Sequence, residues 1–266
     1  MKITDHHVHT EFSGDCSTPM EVIINRAAQL GLKEVMFTDH VDFDYPSVDI
    51  CFEVDYKKYI KILEKLTVQY SEMDILVGIE VGYQPGLNKR INQLLNSYHF
   101  DFVICSIHAW NGAALDKGDL FKGRSQEEGY RAYFDILKYT IENFDNFDVI
   151  GHLDFIVRYG DFEDKSIRYE DYKNILDEIL LMIIKKGKGI ELNTSGLRYK
   201  LSSMHPSLEI LTRYFELGGR IITMGSDAHV LKDLYADFDK AIGQLKEIGF
   251  SEIAAFKNRK PNFIKI

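Results

Sequence analysis

The sequence predicts a single α/β domain whose parallel β-sheet closes, or nearly closes, into a barrel. Short and nearly continuous apolar runs recur along the chain, as in strands that are buried on both faces of a parallel sheet. Amphipathic segments with helical spacing lie between these runs, and this alternation implies parallel strands joined by right-handed crossovers. The length of 266 residues suits one α/β barrel. An open doubly wound sheet is the alternative.

Seven apolar runs mark the predicted strands, and a polar cluster follows each of them. They are the segment from Ile3 into His7 and the runs 35–37, 75–79, 102–104, 149–150, 189–192 and 221–224. A weaker apolar stretch follows at 253–256. No Pro-rich or Ser-rich linker interrupts the series, so we expect one domain over residues 1–266.

Helices are predicted between the strands, at 18–31, 54–71, 87–98, 125–143, 169–186, 206–217 and 231–248. The first begins with Thr18-Pro19-Met20-Glu21, which has the spacing of a capping box with Pro at the first helical position. Gly31 is expected to end it, because glycine tolerates the left-handed conformation that follows a helix. The fourth helix begins at a second capping sequence, Ser125-Gln126-Glu127-Glu128.

Composition narrows the class of protein. The chain has 41 acidic and 32 basic residues, a net charge of -9, which argues against a bulk nucleic-acid binder. Its three cysteines, Cys16, Cys51 and Cys105, are far apart, so a reducing compartment is expected. The longest apolar run, 179–184, is too short to span a bilayer, and no signal peptide is recognised. We therefore expect a cytoplasmic protein without membrane association.

Histidines and carboxylates follow most of the predicted strands. They are His7, His9 and Asp15 after the first strand, then His40, Glu80, His108, His152, Asp227 and His229. The carboxyl ends of parallel strands meet at one mouth of a barrel, so these side chains are expected to converge. Imidazole and carboxylate together are ligands for zinc, iron or manganese. In an extended segment His7 and His9 point to one side and His6 to the other, so His6 is not expected to bind metal.

Each of these residues also has a structural interpretation when taken alone. His40 could be a core histidine bonded to a carbonyl, Glu80 could pair with an arginine, and Asp227 and His229 could cap a helix. Their joint occurrence at six of seven strand ends favours a site for several metal ions, because burying the same groups unpaired would be costly. His205 is expected to shape the start of the helix that follows Pro206.

The ordered motifs resemble those of the PHP superfamily, named for polymerase and histidinol phosphatase domains. The matching pieces are Asp5-x-His7-x-His9-Thr10, Thr38-Asp39-His40, Gly78-x-Glu80, Ser106-Ile107-His108, Gly151-His152-Leu153-Asp154 and Ser226-Asp227-Ala228-His229. The resemblance covers nearly the whole chain. It implies a distorted (β/α)7 TIM-like barrel, in agreement with the count of strands above.

The resemblance also implies which residues hold which ion. A first metal would be held by His7, His9, Glu80 and Asp227. A second would share Glu80, as a bridging ligand, with His108 and His152. A third would be held by Asp15, His40 and His229, although many relatives have histidine where this chain has Asp15. Two or three divalent transition-metal ions (Zn, Mn or Fe) are therefore expected, with Asp227 and Glu80 as the catalytic carboxylates.

Within the superfamily the chain most resembles the stand-alone histidinol-phosphate phosphatases. This likeness rests on the chain length and on two segments, 155–158 and 191–198, which contain Arg158 and Arg198. The guanidinium fork suits a phosphate dianion, so both arginines are expected to bind substrate. The implied reaction is hydrolysis of L-histidinol phosphate, a small phosphate ester, by attack of a hydroxide that two metals share, with Asp154 or Asp161 as candidate acid for the leaving group.

Three other functions fit parts of the pattern. A PHP-type nuclease or phosphodiesterase would use the same ligands, but the net acidity of the chain argues against it. A metal-dependent hydrolase of C–N bonds would have less need of two arginines. A non-catalytic, metal-stabilised module would not need the complete ligand set. The oligomeric state is left open.

Overall fold

The computed structural model describes residues 3–266. Its strands are β1 Glu34–Phe37, β2 His40–Val41, β3 Asp74–Gly82, β4 Phe102–Ser106, β5 Ala109–Trp110, β6 Ala113–Ala114, β7 Val149–Ile150, β8 Gly189–Asn193, β9 Ile222–Gly225, β10 Glu252–Lys257 and β11 Lys260–Lys265. Its α-helices are α1 Met20–Gln29, α2 Tyr56–Gln69, α3 Asn88–Ser97, α4 Gln126–Asn143, α5 Tyr169–Lys185, α6 Leu208–Glu216 and α7 Phe238–Ile248. In residues 3–266 no helix is both long enough and apolar enough to cross a bilayer.

Parallel strands form the wall of a barrel in the order β1-β3-β4-β7-β8-β9, and β2 pairs with the end of β3. The gap between β9 and β1 is bridged by the N-terminal segment. The His6 N–H donates to the Met224 carbonyl at 3.0 Å, and the Thr38 N–H donates to the Val8 carbonyl at 2.9 Å. The predicted (β/α)7 TIM-like class is confirmed, because this segment closes the sheet where a doubly wound sheet would stay open.

The first predicted strand is extended but does not form a regular ladder. It has one isolated parallel bridge, between Val8 and Ala228. Several of its amide groups bond to side chains instead. The Val8 N–H donates to Thr38 Oγ1 at 2.9 Å, and the His7 N–H donates to Asp5 Oδ1 at 3.3 Å. The distortion of the barrel at this position therefore comes from polar side chains that replace neighbouring backbone partners.

Helix boundaries agree with the predictions to within two residues, except at the start of the last helix, and one of the two predicted capping boxes is absent. The capping box at Thr18 does not form, because Pro19 is the N-cap in an extended conformation and the Met20 N–H donates to Glu11 Oε2 instead. The last helix begins at Phe238, because Tyr235 and Asp237 have positive φ angles and interrupt the predicted span 231–248. The capping box at Ser125 is confirmed.

The amino-terminal end of the barrel is covered by an antiparallel hairpin of β10 and β11. Its side chains join inward residues of the wall strands in an apolar cluster, which we call the base cluster: Met36, Leu76, Phe102, Ile104, Val149, Ala254 and Phe256. His6 connects the wall to this hairpin, because its Nε2 accepts the Phe256 N–H at 3.0 Å. The weak apolar stretch 253–256 of the sequence is therefore the floor of the barrel.

Candidate metal centre

All nine side chains predicted as metal ligands lie together at the carboxyl end of the barrel. His7 and His9 extend from the N-terminal segment, Asp15 lies in the loop that follows it, and the others follow the wall strands or lie within β2 and β3. Four groups of them bring their ligand atoms within 4.8 Å of one another: His9, His40 and His229; His7, Glu80 and His152; His7, His9 and Asp227; and His40, Glu80 and His108.

Glu80 is at the centre of this arrangement and is fully buried. Its Oε2 lies 3.1 Å from His7 Nε2 and 3.0 Å from His40 Nδ1. Its Oε1 lies 2.9 Å from His152 Nε2 and 3.3 Å from His108 Nε2. The two carboxylate oxygens thus face different sets of imidazoles, with His9 Nε2 also 3.5 Å from Oε2, which is the arrangement required of a residue that bridges two cations.

Asp227 defines a second focus beside Glu80. Its Oδ1 lies 3.4 Å from His9 Nε2, 3.7 Å from His7 Nε2 and 3.6 Å from His229 Nδ1. Its backbone has a φ of 55°, which is rare for a residue other than glycine and is often found at functional sites. The turn after β9 thus holds the carboxylate over the two N-terminal histidines.

Asp15 and two histidines form the outermost part of the site. Asp15 Oδ2 lies 3.1 Å from His229 Nε2 and 3.7 Å from His40 Nε2. The Asp15 side chain is 33% exposed, against 0% for Glu80. This group therefore borders solvent, whereas the Glu80 carboxylate itself is fully buried.

The residues fit divalent metal ions, because several of their buried ligand atoms have no hydrogen-bond partner. His7 Nε2, His9 Nε2 and Glu80 Oε2 are buried and make no hydrogen bond to any of residues 3–266. A buried polar atom without a partner costs about 1–3 kcal/mol, so several in one place are unfavourable unless a cation joins them. Nitrogen and carboxylate donors are the set that zinc, iron and manganese prefer.

Buried partners orient three of the imidazoles, and sequence analysis did not assign these roles. His7 Nδ1 lies 2.6 Å from Glu191 Oε1, and His108 Nδ1 lies 2.7 Å from Asp42 Oδ1. His9 Nδ1 lies 3.0 Å from the hydroxyl of Ser13. Such contacts fix the orientation of the ring and direct Nε2 into the cluster of ligand atoms. Asp42 follows His40 by two residues in an extended segment, a spacing that could have indicated a shared face.

The electrostatics favour the ligand form of the two central carboxylates and of His9, whereas neighbouring carboxylates outweigh burial and raise the pKa of His7 and His108 well above normal, so a metal ion would replace protons there. Burial raises the pKa of Glu80, but His7, His40 and His108 outweigh it and hold this pKa well below its usual range. Burial likewise raises the pKa of Asp227, yet His7 and Arg158 bring it well below normal. Burial lowers the pKa of His9, and two neighbouring histidines lower it further. Ionised carboxylates and a neutral imidazole are the states that coordinate metal.

A cavity of about 770 Å³ opens above the cluster, and both predicted arginines line it. Arg158 Nη2 donates to Asp227 Oδ2 at 2.9 Å, and its side chain is only 4% exposed. Arg198 donates to the Ser226 carbonyl and lies 3.3 Å from Asp233. Neither acid considered for the leaving group lines this cavity: Asp154 is buried beneath it, and Asp161 borders a smaller cavity.

The rest of the cavity wall was not predicted. It comes from loops and includes Tyr45, Phe52, Asp116, Phe155, Tyr159 and Tyr199. The Tyr45 hydroxyl donates to Asp116 Oδ1 at 2.5 Å across this wall. His6 and His205 lie outside the metal cluster, as expected, but His205 does more than precede a helix, because its buried Nδ1 contacts Asp154. Trp110 packs on Tyr139 and is not among the lining residues.

Comparisons with known proteins agree with the motifs. The histidinol-phosphatase of Lactococcus lactis is 33% identical over 98% of this chain and 96% of its own length. A probable histidinol-phosphatase of Clostridium acetobutylicum is 31% identical over 90% of this chain and 91% of its own. The crystal structure of the Lactococcus lactis histidinol phosphate phosphatase, complexed with zinc, L-histidinol and phosphate, superposes with a TM-score of 0.89, with 31% identity, covering 98% of this chain and 99% of that chain.

The family itself follows from a match that spans well over half of the sequence. The PHP domain model matches residues 5–195, from the first metal-facing segment to just beyond β8. The convergence of six histidines and three carboxylates at one mouth agrees with that match. The chain belongs to the PHP domain family.

Proposed function

We propose that this chain is a metal-dependent phosphomonoesterase that hydrolyses L-histidinol phosphate to L-histidinol and phosphate. The observation that carries the proposal is the position of two arginines, Arg158 and Arg198, on the wall of the cavity above the Glu80 cluster. The named relatives, which match along nearly their whole length, support the same activity. We further propose that residues 1–266 act as one phosphoesterase domain.

The metal assignments extend the contacts described above. His7, His9, Glu80 and Asp227 would hold one ion, and Glu80 would share a second with His108 and His152. Asp15, His40 and His229 would hold a third. Glu80 Oε2 faces His7 and His9 and its Oε1 faces His108 and His152, which supports its role as the bridge. We propose two or three ions per chain, drawn from zinc, manganese and iron.

The arginines suit the dianionic phosphate of a monoester. Arg158 already holds Asp227 through Nη2, so a phosphate that Arg158 binds would lie beside that carboxylate. Arg198 belongs to the short 3₁₀ helix Thr194–Tyr199 and is partly exposed. Charge-assisted N–H contacts to phosphate oxygens are strong and directional. They would neutralise charge that develops on the phosphate oxygens during transfer.

Each catalytic carboxylate has a distinct task in this proposal. Bound metals would supply Lewis acidity and an activated water near neutral pH. Asp227 uses Oδ2 to accept from Arg158 and directs Oδ1 into the cluster, so it is placed to orient the attacking water and hold its proton. Glu80 stays buried and ionised between the imidazoles, so its task is to keep the cluster together.

The organic part of the substrate would contact the loop-built wall of the cavity. L-Histidinol carries an amine and an imidazole, both of which favour acidic or aromatic surroundings. Asp116 and Asp233 supply negative charge, and Phe52, Tyr159 and Tyr199 supply aromatic faces. A cationic group beside an aromatic ring and a carboxylate gains on both counts. We propose that this wall selects histidinol phosphate over simpler monoesters.

A substrate panel tests the proposal. The purified protein would be assayed with L-histidinol phosphate, p-nitrophenyl phosphate, its bis ester and short single-stranded DNA, with and without added manganese. We expect the highest kcat/KM for histidinol phosphate and no activity of Glu80→Gln, the control for contaminating phosphatases. Preference for the bis ester or DNA would indicate a PHP-type phosphodiesterase or nuclease. Metal bound without any hydrolysis would indicate a non-catalytic module.

A further inference from the structure

A buried chain of polar side chains leads from the back of the site to Arg158. Asp154 Oδ1 lies 2.5 Å from His205 Nδ1, and both residues are almost completely buried. On the other side of the ring, Arg158 Nε donates to His205 Nε2 at 3.1 Å. Neither Asp154 nor His205 lines the cavity, so neither contacts a bound substrate.

The direction of these hydrogen bonds fixes the tautomer of His205. Arg158 Nε always carries a hydrogen, so His205 Nε2 must be the acceptor. The ring hydrogen of the neutral imidazole is then on Nδ1, where the Asp154 carboxylate accepts it. By accepting the hydrogen on Nδ1, Asp154 makes His205 present an acceptor, and not a second N–H, to the arginine.

Arg158 is held on its other sides as well. Nη2 donates to Asp227 Oδ2 at 2.9 Å and to Ser195 Oγ at 2.5 Å, and the guanidinium lies over the Tyr199 ring, 4.4 Å from its centroid. Among residues 3–266, no hydrogen bond to Nη1 is found. With Nε and Nη2 both anchored, the plane of the guanidinium is set, and Nη1 is the nitrogen left for a ligand in the cavity that Arg158 lines.

We propose that Asp154 and His205 are positioning residues for Arg158, and that they act by fixing the His205 tautomer. The inference rests on the proposed phosphatase function and adds to it a device that aims the remaining Nη1 group of Arg158 at the phosphate. A guanidinium anchored at Nε loses little freedom when phosphate binds, so more of the contact contributes to affinity and rate. Asp154 therefore has a task other than protonating the leaving group.

Asp154 also accepts the Ser207 N–H at 2.8 Å through Oδ2, just before α6, so a simple truncation would disturb the fold. Asp154→Asn avoids this problem, because the amide oxygen still accepts from Ser207. The amide nitrogen then faces His205 Nδ1 as a donor. The ring hydrogen must move to Nε2, where it opposes the Arg158 Nε–H.

The test compares Asp154→Asn with the parent and with Arg158→Ala, each loaded with manganese. We expect Asp154→Asn to lower kcat/KM for histidinol phosphate about 10- to 100-fold, and to weaken inorganic phosphate binding measured by calorimetry. In the Arg158→Ala background the same substitution should change kcat/KM less than twofold, because its target is gone. Asp171→Asn, an exposed site on α5, is the matched control and should equal the parent.

Two further readouts separate positioning from loss of structure. The ¹⁵N shifts of the His205 ring, assigned with His205→Gln, should report a hydrogen on Nδ1 in the parent and on Nε2 in Asp154→Asn. Metal content and melting temperature should stay at parental values. An equal loss in both backgrounds, or an unchanged tautomer, would overturn the proposal. A parent that binds phosphate but does not hydrolyse histidinol phosphate would overturn the proposed function instead, and the phosphate affinities would still test the positioning.

Discussion

The two ends of the barrel are built from the same strands but from opposite chemistry. In β4, Phe102 and Ile104 belong to the base cluster, whereas Ser106 at the other end donates to Glu80 Oε1 at 2.6 Å. The base is closed by apolar packing under the hairpin. The mouth holds buried nitrogen and oxygen atoms without hydrogen-bond partners among residues 3–266. Packing stabilises one end, and the other has been left for ligands, as is usual in α/β barrels.

Two neighbouring histidines show how sharply the ends are separated. His6 Nε2 accepts from Phe256 of the hairpin, while His7 Nε2 faces Glu80 in the metal cluster. Alternation along an extended segment sends consecutive side chains to opposite sides. One polar residue is thus fully satisfied by the protein, and the next is satisfied only when a cation is present. The residue type is the same, so only its position decides between structure and function.

The largest predicted effect comes from removing the negative charge at the centre of the mouth. Glu80→Gln keeps the size of the side chain but removes the charge that two groups of imidazoles share. We expect kcat/KM for histidinol phosphate to fall by about 10³-fold or more, since bridged metals supply several kcal/mol of stabilisation. Elemental analysis should show fewer ions per chain. Glu64→Gln, an exposed change on α2, should leave both quantities at parental values, and an active, fully metallated Glu80→Gln would refute the bridging role.

The converse substitution destabilises the base cluster and leaves the residues of the mouth unchanged. Phe256→Ala removes a ring that is 3% exposed and packs on Phe102 at a centroid distance of 5.0 Å. We expect the free energy of unfolding in urea to fall by roughly 3–5 kcal/mol, the usual cost of such a cavity. The kcat/KM of the folded fraction should stay within about twofold of the parent. A large loss of kcat at temperatures where the variant remains folded would show that the two ends are coupled.

The residues at the mouth were largely predictable, because the topology of a parallel barrel determines which strand ends meet. Once alternating strands and helices imply a parallel barrel, residues such as Glu80 and His152 must meet, although they are distant in sequence. The apolar base of the barrel was not predicted, because 253–256 shows only a weak apolar run. The cavity wall was missed for a different reason. Tyr45 and Asp116 come from separate loops, and loops have no periodicity that would indicate which side chains meet.

Backbone exceptions also limited the sequence interpretation. The start of the last helix moved to Phe238, because Tyr235 and Asp237 adopt positive φ angles that their residue types seldom indicate. The outer partners of the imidazoles were missed since Glu191 and Asp42 are ordinary acidic residues until the fold places them beside His7 and His108. Ligands at strand ends follow from topology, but their supporting contacts depend on packing that no local pattern encodes.

The third prediction uses pH to distinguish His6 from its neighbours. Burial lowers the pKa of His6 to about 4, whereas the unfolded chain has the ordinary value near 6.5. Between these values the unfolded state binds the extra proton, so stability falls as pH decreases from 6.5 to 4 and changes no further below that. This residue alone should contribute about 3 kcal/mol of that loss. His6→Gln should reduce the pH dependence of the unfolding free energy by that amount, and parallel curves for both proteins would refute the assignment.

The smallest predicted effect sharpens the comparison within the mouth, between the cluster and its loop-built wall. Asp116 lies in the wall of the cavity and accepts a hydrogen bond from Tyr45, which belongs to a loop that is distant in sequence. A carboxylate there would attract the amine or imidazole of histidinol, an interaction worth about 1–2 kcal/mol at a partly exposed site. Asp116→Asn should therefore raise KM for histidinol phosphate roughly tenfold with little change in kcat.

The same variant should hydrolyse p-nitrophenyl phosphate as the parent does, because that ester has no cationic group for the wall to bind. Asp49→Asn, an exposed change in the loop beside Phe52, is the matched control and should alter neither substrate. Equal losses on both esters would mean that Asp116 supports the cluster itself. An unchanged KM for histidinol phosphate would mean that selectivity comes from the aromatic faces, and Tyr159→Phe and Tyr199→Leu would then be the variants to compare.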